Sequence, residues 1–214
     1  MKSPAKPPPL PGSARGTPLR TRLVGPLLGL LILTAVILIW ASTGFGAGMV
    51  AIKKARKAQA KHDCVNLVQA VAAYFADYGR LPPIPGAGGG RGALTDNAAM
   101  DILLGFNIAA NPGALRYFSG KAAVGRTAAT AHGGLFFSIA GGAELLDPWK
   151  KKPGGVRHFY LLLDLDGDGK IPDPTDPGFT ILGRSAVAWS TGPDGRAHPD
   201  PDHPDNRDNV YSWK

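Results

Sequence analysis

The chain has 214 residues, which leaves room for one apolar anchor and one modest domain and excludes a large multidomain machine. Hydrophobic residues make up 44% and charged residues 19%, and 29 glycines with 20 prolines exclude a chain built mainly of long regular helices. The net charge of +8 is not spread like a nucleic-acid patch, because the bases flank one apolar run and the tail after Gly192 is rich in aspartate. Cys64 is alone, so no intramolecular disulfide is available.

Residues 1–22 carry Lys2, Lys6, Arg15, Arg20 and Arg22 among several prolines, a composition that predicts a disordered basic leader. Residues 23–52 contain no charged side chain. A helix of roughly 30 residues spans about 45 Å, so this segment is expected to be a transmembrane helix, densest over Leu27 to Trp40. A cleaved signal peptide is the competing reading, with a site near Ala41-Ser42-Thr43 or Ala47. The apolar character continuing through Val50, Ala51 and Ile52 favours an uncleaved anchor. Bases on both sides leave orientation undecided by charge counting.

Residues 53–83 open with Lys53, Lys54, Arg56, Lys57 and Lys61. They then place Cys64, Leu67, Val68, Val71, Tyr74, Phe75 and Tyr78 at steps of three and four. That spacing predicts an amphipathic helix packing a domain, ended by Gly79 and by Pro82 and Pro83. No aromatic residue interleaves with the basic run, which argues against nucleic acid. Residues 84–214 form a variable region followed by strands. Ile84 to Arg91 is a glycine-rich connector without the Lys-Ser/Thr ending of a phosphate loop. Asp96 to Gly105 predicts a short capped helix. Gly120 to Gly134 is alanine- and glycine-rich, and its His132 has no second metal ligand at suitable spacing. His158 to Asp164, Phe179 to Leu182 and Ala186 to Ser190 predict strands of a small antiparallel sheet, giving an α+β domain.

Two loops gather carboxylates. Asp164-Leu-Asp166-Gly-Asp168-Gly-Lys170 alternates aspartates as calcium sites do, with Lys170 offering a carbonyl, but position twelve of the EF-hand pattern is Thr175 rather than glutamate. A solvated Asp-Gly hairpin turn is the other reading, and both stay open. Thr191 to Asp208 holds Asp194, Asp200, Asp202, Asp205 and Asp208, which repel unless a cation screens them or the loop is an extended acidic tail. His198 and His203 offer a zinc alternative. No nucleophile with a base stands out, so an enzyme is not expected.

The apolar segment running into Lys53 to Lys61, the close Tyr74 to Pro82 (Tyr-Phe-Ala-Asp-Tyr-Gly-Arg-Leu-Pro), Asp147-Pro148-Trp149, Ala188-Trp189-Ser190-x-Gly192-x-Asp194-Gly195 and Asp208-Asn-Val-Tyr-Ser-Trp213 follow one another in order. In that order the chain resembles the major pseudopilins of type II secretion systems, within the type IV pilin-like family. Leu81 stands where the family has tyrosine. Gly25-Pro26-Leu27-Leu28-Gly29-Leu30 replaces the prepilin peptidase motif, a glycine followed by Phe-Thr-Leu-Ile-Glu.

The resemblance implies a pilin-like fold and a calcium ion held by the carbonyls of Thr191 and Arg196 with Asp194, Asp205 and Asp208. It also implies a structural role: self-assembly into a periplasmic pseudopilus with other pseudopilins, on an inner-membrane secretion platform, with the N-terminus cytoplasmic and the helix in the lipid bilayer. A membrane-tethered calcium-binding module that does not assemble is the alternative.

Overall fold

The computed structural model describes residues 19–139, 141–150 and 157–214. Residues 1–18 of the expected leader lie outside them. The chain divides into two compact units, Met1–Ala51 and Ile52–Lys214. Helix α1 runs from Leu19 to Tyr78 and contributes to both.

Within the first unit, the apolar side chains from Leu27 to Ile39 are 46–68% exposed, and those of Met49 and Val50 are exposed as well. Among the described residues no helix is long and apolar enough to cross a membrane. This overturns the expected transmembrane half of α1 and the single-pass inner-membrane placement with a periplasmic domain. The physical reason is that uncharged is not the same as apolar. The dense run ends near Ile39, about 20 Å of helix against a hydrocarbon core of about 30 Å. Beyond it stand Ser42, Thr43, Gly44, Gly46 and Gly48.

The second unit is α+β. From Ile52 onward α1 buries Ala60, Cys64, Leu67, Ala70, Val71 and Tyr74, each at most 2% exposed. The steps of three and four place them on one face of the helix. Phe75, expected in the stripe, is 48% exposed, because it follows Tyr74 by one residue and so points about 100° away from it. Gly79 ends the helix at φ +64°, its N–H donating to the Phe75 carbonyl at 2.8 Å. That left-handed turn is the usual way a helix stops at glycine.

After the connector, β1 (Ala93–Leu94) leads into α2 (Asn97–Leu103). Asp96 caps α2 by accepting the Ala99 N–H at 3.3 Å. A hairpin follows, β2 (Gly134–Phe137) with β3 (Ala143–Leu146). Next come β4 (Tyr160–Leu163), β5 (Lys170–Asp173), β6 (Asp176–Leu182), β7 (Ala186–Ser190) and β8 (Val210–Tyr211). The main sheet is antiparallel in the order β1-β4-β7-β8, and β5 pairs with β6 separately.

Alternation along the strands splits the core in two. Phe159, Leu161 and Leu163 of the β4 segment join Ala186, Ala188 and Val210 in the cluster that contains the α1 stripe. Leu162 and Val187 point the other way and pack with Ile171, Ile181 and Trp213. The central strands are therefore covered on both faces, which is why they read as continuous apolar runs. Each fully buried leucine contributes about 1.5–3 kcal/mol. The arrangement places the loop between β4 and β5, and the long return from β7 to β8, at the margins of the sheet.

Candidate metal centre

The β4–β5 loop gathers three aspartates. The ligand-capable oxygens of Asp164, Asp166 and Asp168 lie within 4.8 Å of one another, and among the described residues no other three His, Cys, Asp or Glu side chains do so. The backbone already serves much of this charge. Asp164 Oδ1 accepts the Gly167 N–H at 3.0 Å and Oδ2 the Gly169 N–H at 2.8 Å. Burial pushes the Asp164 carboxyl up, but hydrogen bonds from Asp166 and from backbone N–H groups outweigh it and hold it below its ordinary value. Lys170 brings its ammonium toward the cluster. Its Nζ lies 3.7 Å from Asp168 Oδ2, and its N–H donates to Asp168 Oδ1 at 2.8 Å.

The β7–β8 return is built differently. Leaving β7, Thr191 is buried, and among the described residues its Oγ1 has no hydrogen-bond partner. Gly192 then turns at φ +64°, where a Cβ would stand 2.5 Å from the Asp208 carbonyl oxygen. Only glycine allows the outgoing and returning strands to approach so closely at that backbone angle. Asp194 donates its N–H to Asp208 Oδ2 at 3.3 Å and accepts the Arg196 N–H on Oδ1 at 2.8 Å. Thr191, Asp194, Arg196 and Asp208 are thus brought together. Asp205 contacts His203 locally: its N–H donates to His203 Nδ1 at 3.3 Å, and its Oδ2 lies 3.6 Å from that nitrogen.

Asn209, which the sequence reading passed over, sits at the centre of this loop. Its side-chain oxygen lies 3.2 Å from the Thr191 carbonyl and 3.2 Å from the Arg196 carbonyl. Rotating the amide would turn the nitrogen to both carbonyls and let its oxygen accept the Tyr211 hydroxyl at 3.1 Å, but would face that oxygen against Asn206 Oδ1 at 3.1 Å.

The Asn206 amide is itself fixed. Its Nδ2 donates to the His198 and Asp200 carbonyls at 2.8 and 2.7 Å, and its Oδ1 accepts the His198 N–H at 3.0 Å. Asn206 therefore presents an oxygen, already bonded to the His198 N–H, to which Asn209 Nδ2 also donates at 3.1 Å while donating to the Tyr211 hydroxyl. In this orientation the Thr191 and Arg196 carbonyl oxygens and Asn209 Oδ1 face one another with no proton between them, a repulsion that either a cation or rotation of the amide relieves. Neutral carbonyl and amide oxygens beside two carboxylates form a hard, oxygen-only donor set, which suits Ca²⁺ rather than a softer metal.

The histidines do not join a metal cluster among the described residues. The His198 and His203 rings stack with centroids 4.0 Å apart, and each Nδ1 accepts a backbone N–H, from Asp200 and Asp205 respectively. Cys64 is fully buried, its Sγ donating to the Val210 carbonyl at 3.8 Å. Burial and the nearby Asp63 push its thiol well above the usual range, which makes it a packing residue rather than a nucleophile. Comparisons with models of protein families, with curated proteins and with solved structures found no match.

Proposed function

We propose that the chain is a structural subunit of the type IV pilin-like kind, whose copies pack through α1 and whose C-terminal return is closed by calcium. Within that class the reading is a pseudopilin of a type II secretion machine. One observation carries the class: apart from Thr34, Leu27 to Ile39 is apolar round the helix and exposed, in the same helix that buries one face against an α+β unit. A helix apolar on every side is stable only when something covers it, and contiguous exposed apolar surface of this size marks an interface. Copies of the same segment supply cover of matching chemistry. By analogy with the family, subunits added one after another lengthen a rod that pushes secreted proteins outward, and the chain supplies the rod.

In this reading the Thr191 and Arg196 carbonyls and Asn209 Oδ1 hold calcium, with the Asp194 and Asp208 carboxylates beside them. Calcium, when bound, supplies positive charge where the loop's own oxygens repel. The chain does the rest: Asn206 orients Asn209, Gly192 lets the strands close, and β8 pairs with β7 to finish the sheet. Cysteines placed singly at Leu31 and Leu38 in the full chain test the packing. Under oxidation both are expected to give crosslinked dimers, while a cysteine at exposed Arg184 gives none. Crosslinking no greater at Leu31 and Leu38 than at Arg184 counts against the reading.

A further inference from the structure

In the second unit, a groove of about 540 Å³ runs between the start of the amphipathic part of α1 and the last strand. Lys54, Lys57, Lys61, Arg207 and Lys214 line it, together with Tyr211, small apolar groups and the Asn206 and Asn209 amides, and no aspartate or glutamate side chain contributes to its wall. Among the described residues Lys54, Lys57 and Arg207 make no ion pair, whereas Lys214 is held by Asp173 at 3.0 Å. Lys61 is pinned in place, its Nζ donating to the Tyr211 carbonyl at 2.7 Å and to that of Lys214. The groove therefore combines an apolar floor with a rim of unneutralised positive charge.

The same chain carries the complementary shape. At the tip of the β4–β5 loop, Leu165 is 59% exposed, and Asp166 and Asp168 beside it are exposed. An apolar side chain flanked by two carboxylates matches an apolar floor rimmed by lysines. We infer that the groove receives the Leu165–Asp168 tip of a second copy of this chain, with Leu165 on the floor and Asp166 and Asp168 against Lys54, Lys57 and Arg207. The inference rests on the assembling-subunit reading and says which surfaces of the folded unit meet. Groove and tip are different surfaces, so each copy offers one of each, and the contact propagates from copy to copy unless it closes into a ring.

Charge reversal in the full chain tests it, with assembled mass read by sedimentation at fixed protein concentration. Lys57→Glu and Asp166→Lys are each expected to weaken assembly about tenfold or more, and the double exchange to restore much of it, because it re-forms the pair with its signs swapped. Both positions are exposed, and an unchanged melting temperature shows that the fold is kept. A Lys57→Cys, Asp166→Cys pair is expected to crosslink between copies. If the wild type assembles but neither reversal changes the assembled mass, this inference fails and the packing through α1 stands. If the wild type does not assemble, both fail.

Discussion

Replacing Asn209 by alanine separates the calcium account from a purely structural one. Asn209 donates two hydrogen bonds within a buried loop, to Asn206 Oδ1 and to the Tyr211 hydroxyl, each at 3.1 Å. Losing them in the presence of chelator costs about 1–2 kcal/mol, or about 3–6 °C in melting temperature for a domain of this size. Calcium adds a second loss, because one oxygen of the donor set is gone. A tenfold weaker affinity corresponds to about 1.4 kcal/mol, so the calcium-induced rise in melting temperature shrinks by about a further 3–5 °C. The assay is thermal unfolding of wild type and variant, each with chelator and with millimolar calcium. An equal calcium-induced rise in both proteins would refute Asn209 as a ligand. No rise in either would refute the calcium site.

Gly192→Ala sets a Cβ 2.5 Å from the Asp208 carbonyl at a left-handed φ, and is expected to cost a few kcal/mol and to weaken the calcium response, both read in the same melts. Leu161→Ala empties a fully buried site in the larger core and is expected to cost about 2–5 kcal/mol by urea unfolding, with no change in calcium affinity. Burial raises the Asp63 carboxyl above its ordinary value of 3.8, so ionisation opposes folding. Asp63→Asn should raise stability at neutral pH, and the gain should disappear as pH falls below 3.8, where both states are protonated. Asp173 has the opposite sign: burial pushes it up, but the Thr175 N–H and hydroxyl and the Lys214 ammonium hold it below 3.8. Its contribution is present above 3.8 and lost as pH falls through the lower folded value, so Asp173→Asn should destabilise at neutral pH and converge with wild type in acid.

Much of the second unit was legible in local pattern. The Cys64–Leu67–Val71–Tyr74 stripe, the stop at Gly79, the Asp96 cap, and the strands at 160–163, 179–182 and 186–190 all follow from spacing and turn chemistry within a few residues. The β2–β3 hairpin was not legible. Gly134 lies so close to Lys121 and Ala122 that a Cβ would stand 2.4 Å from the Lys121 carbonyl oxygen, and such a contact leaves only an alanine- and glycine-rich stretch in the sequence. The transmembrane reading of residues 23–52 fails because among the described residues no helix is long and apolar enough to cross a membrane. In the C-terminal loop the carboxylates drew attention, while the amides of Asn206 and Asn209 carry no net charge and matter only through long-range geometry. Asp205, conspicuous in sequence, is occupied by His203 two residues away.

Electron microscopy of the purified full chain with calcium tests the central claim most directly. The account predicts rods of uniform diameter that are lost when Leu31 and Leu38 are both replaced by aspartate, with the melting of the folded unit unchanged. Particles that stay monomeric at high protein concentration, or rods indifferent to both aspartates, would contradict the claim that α1 is the packing surface.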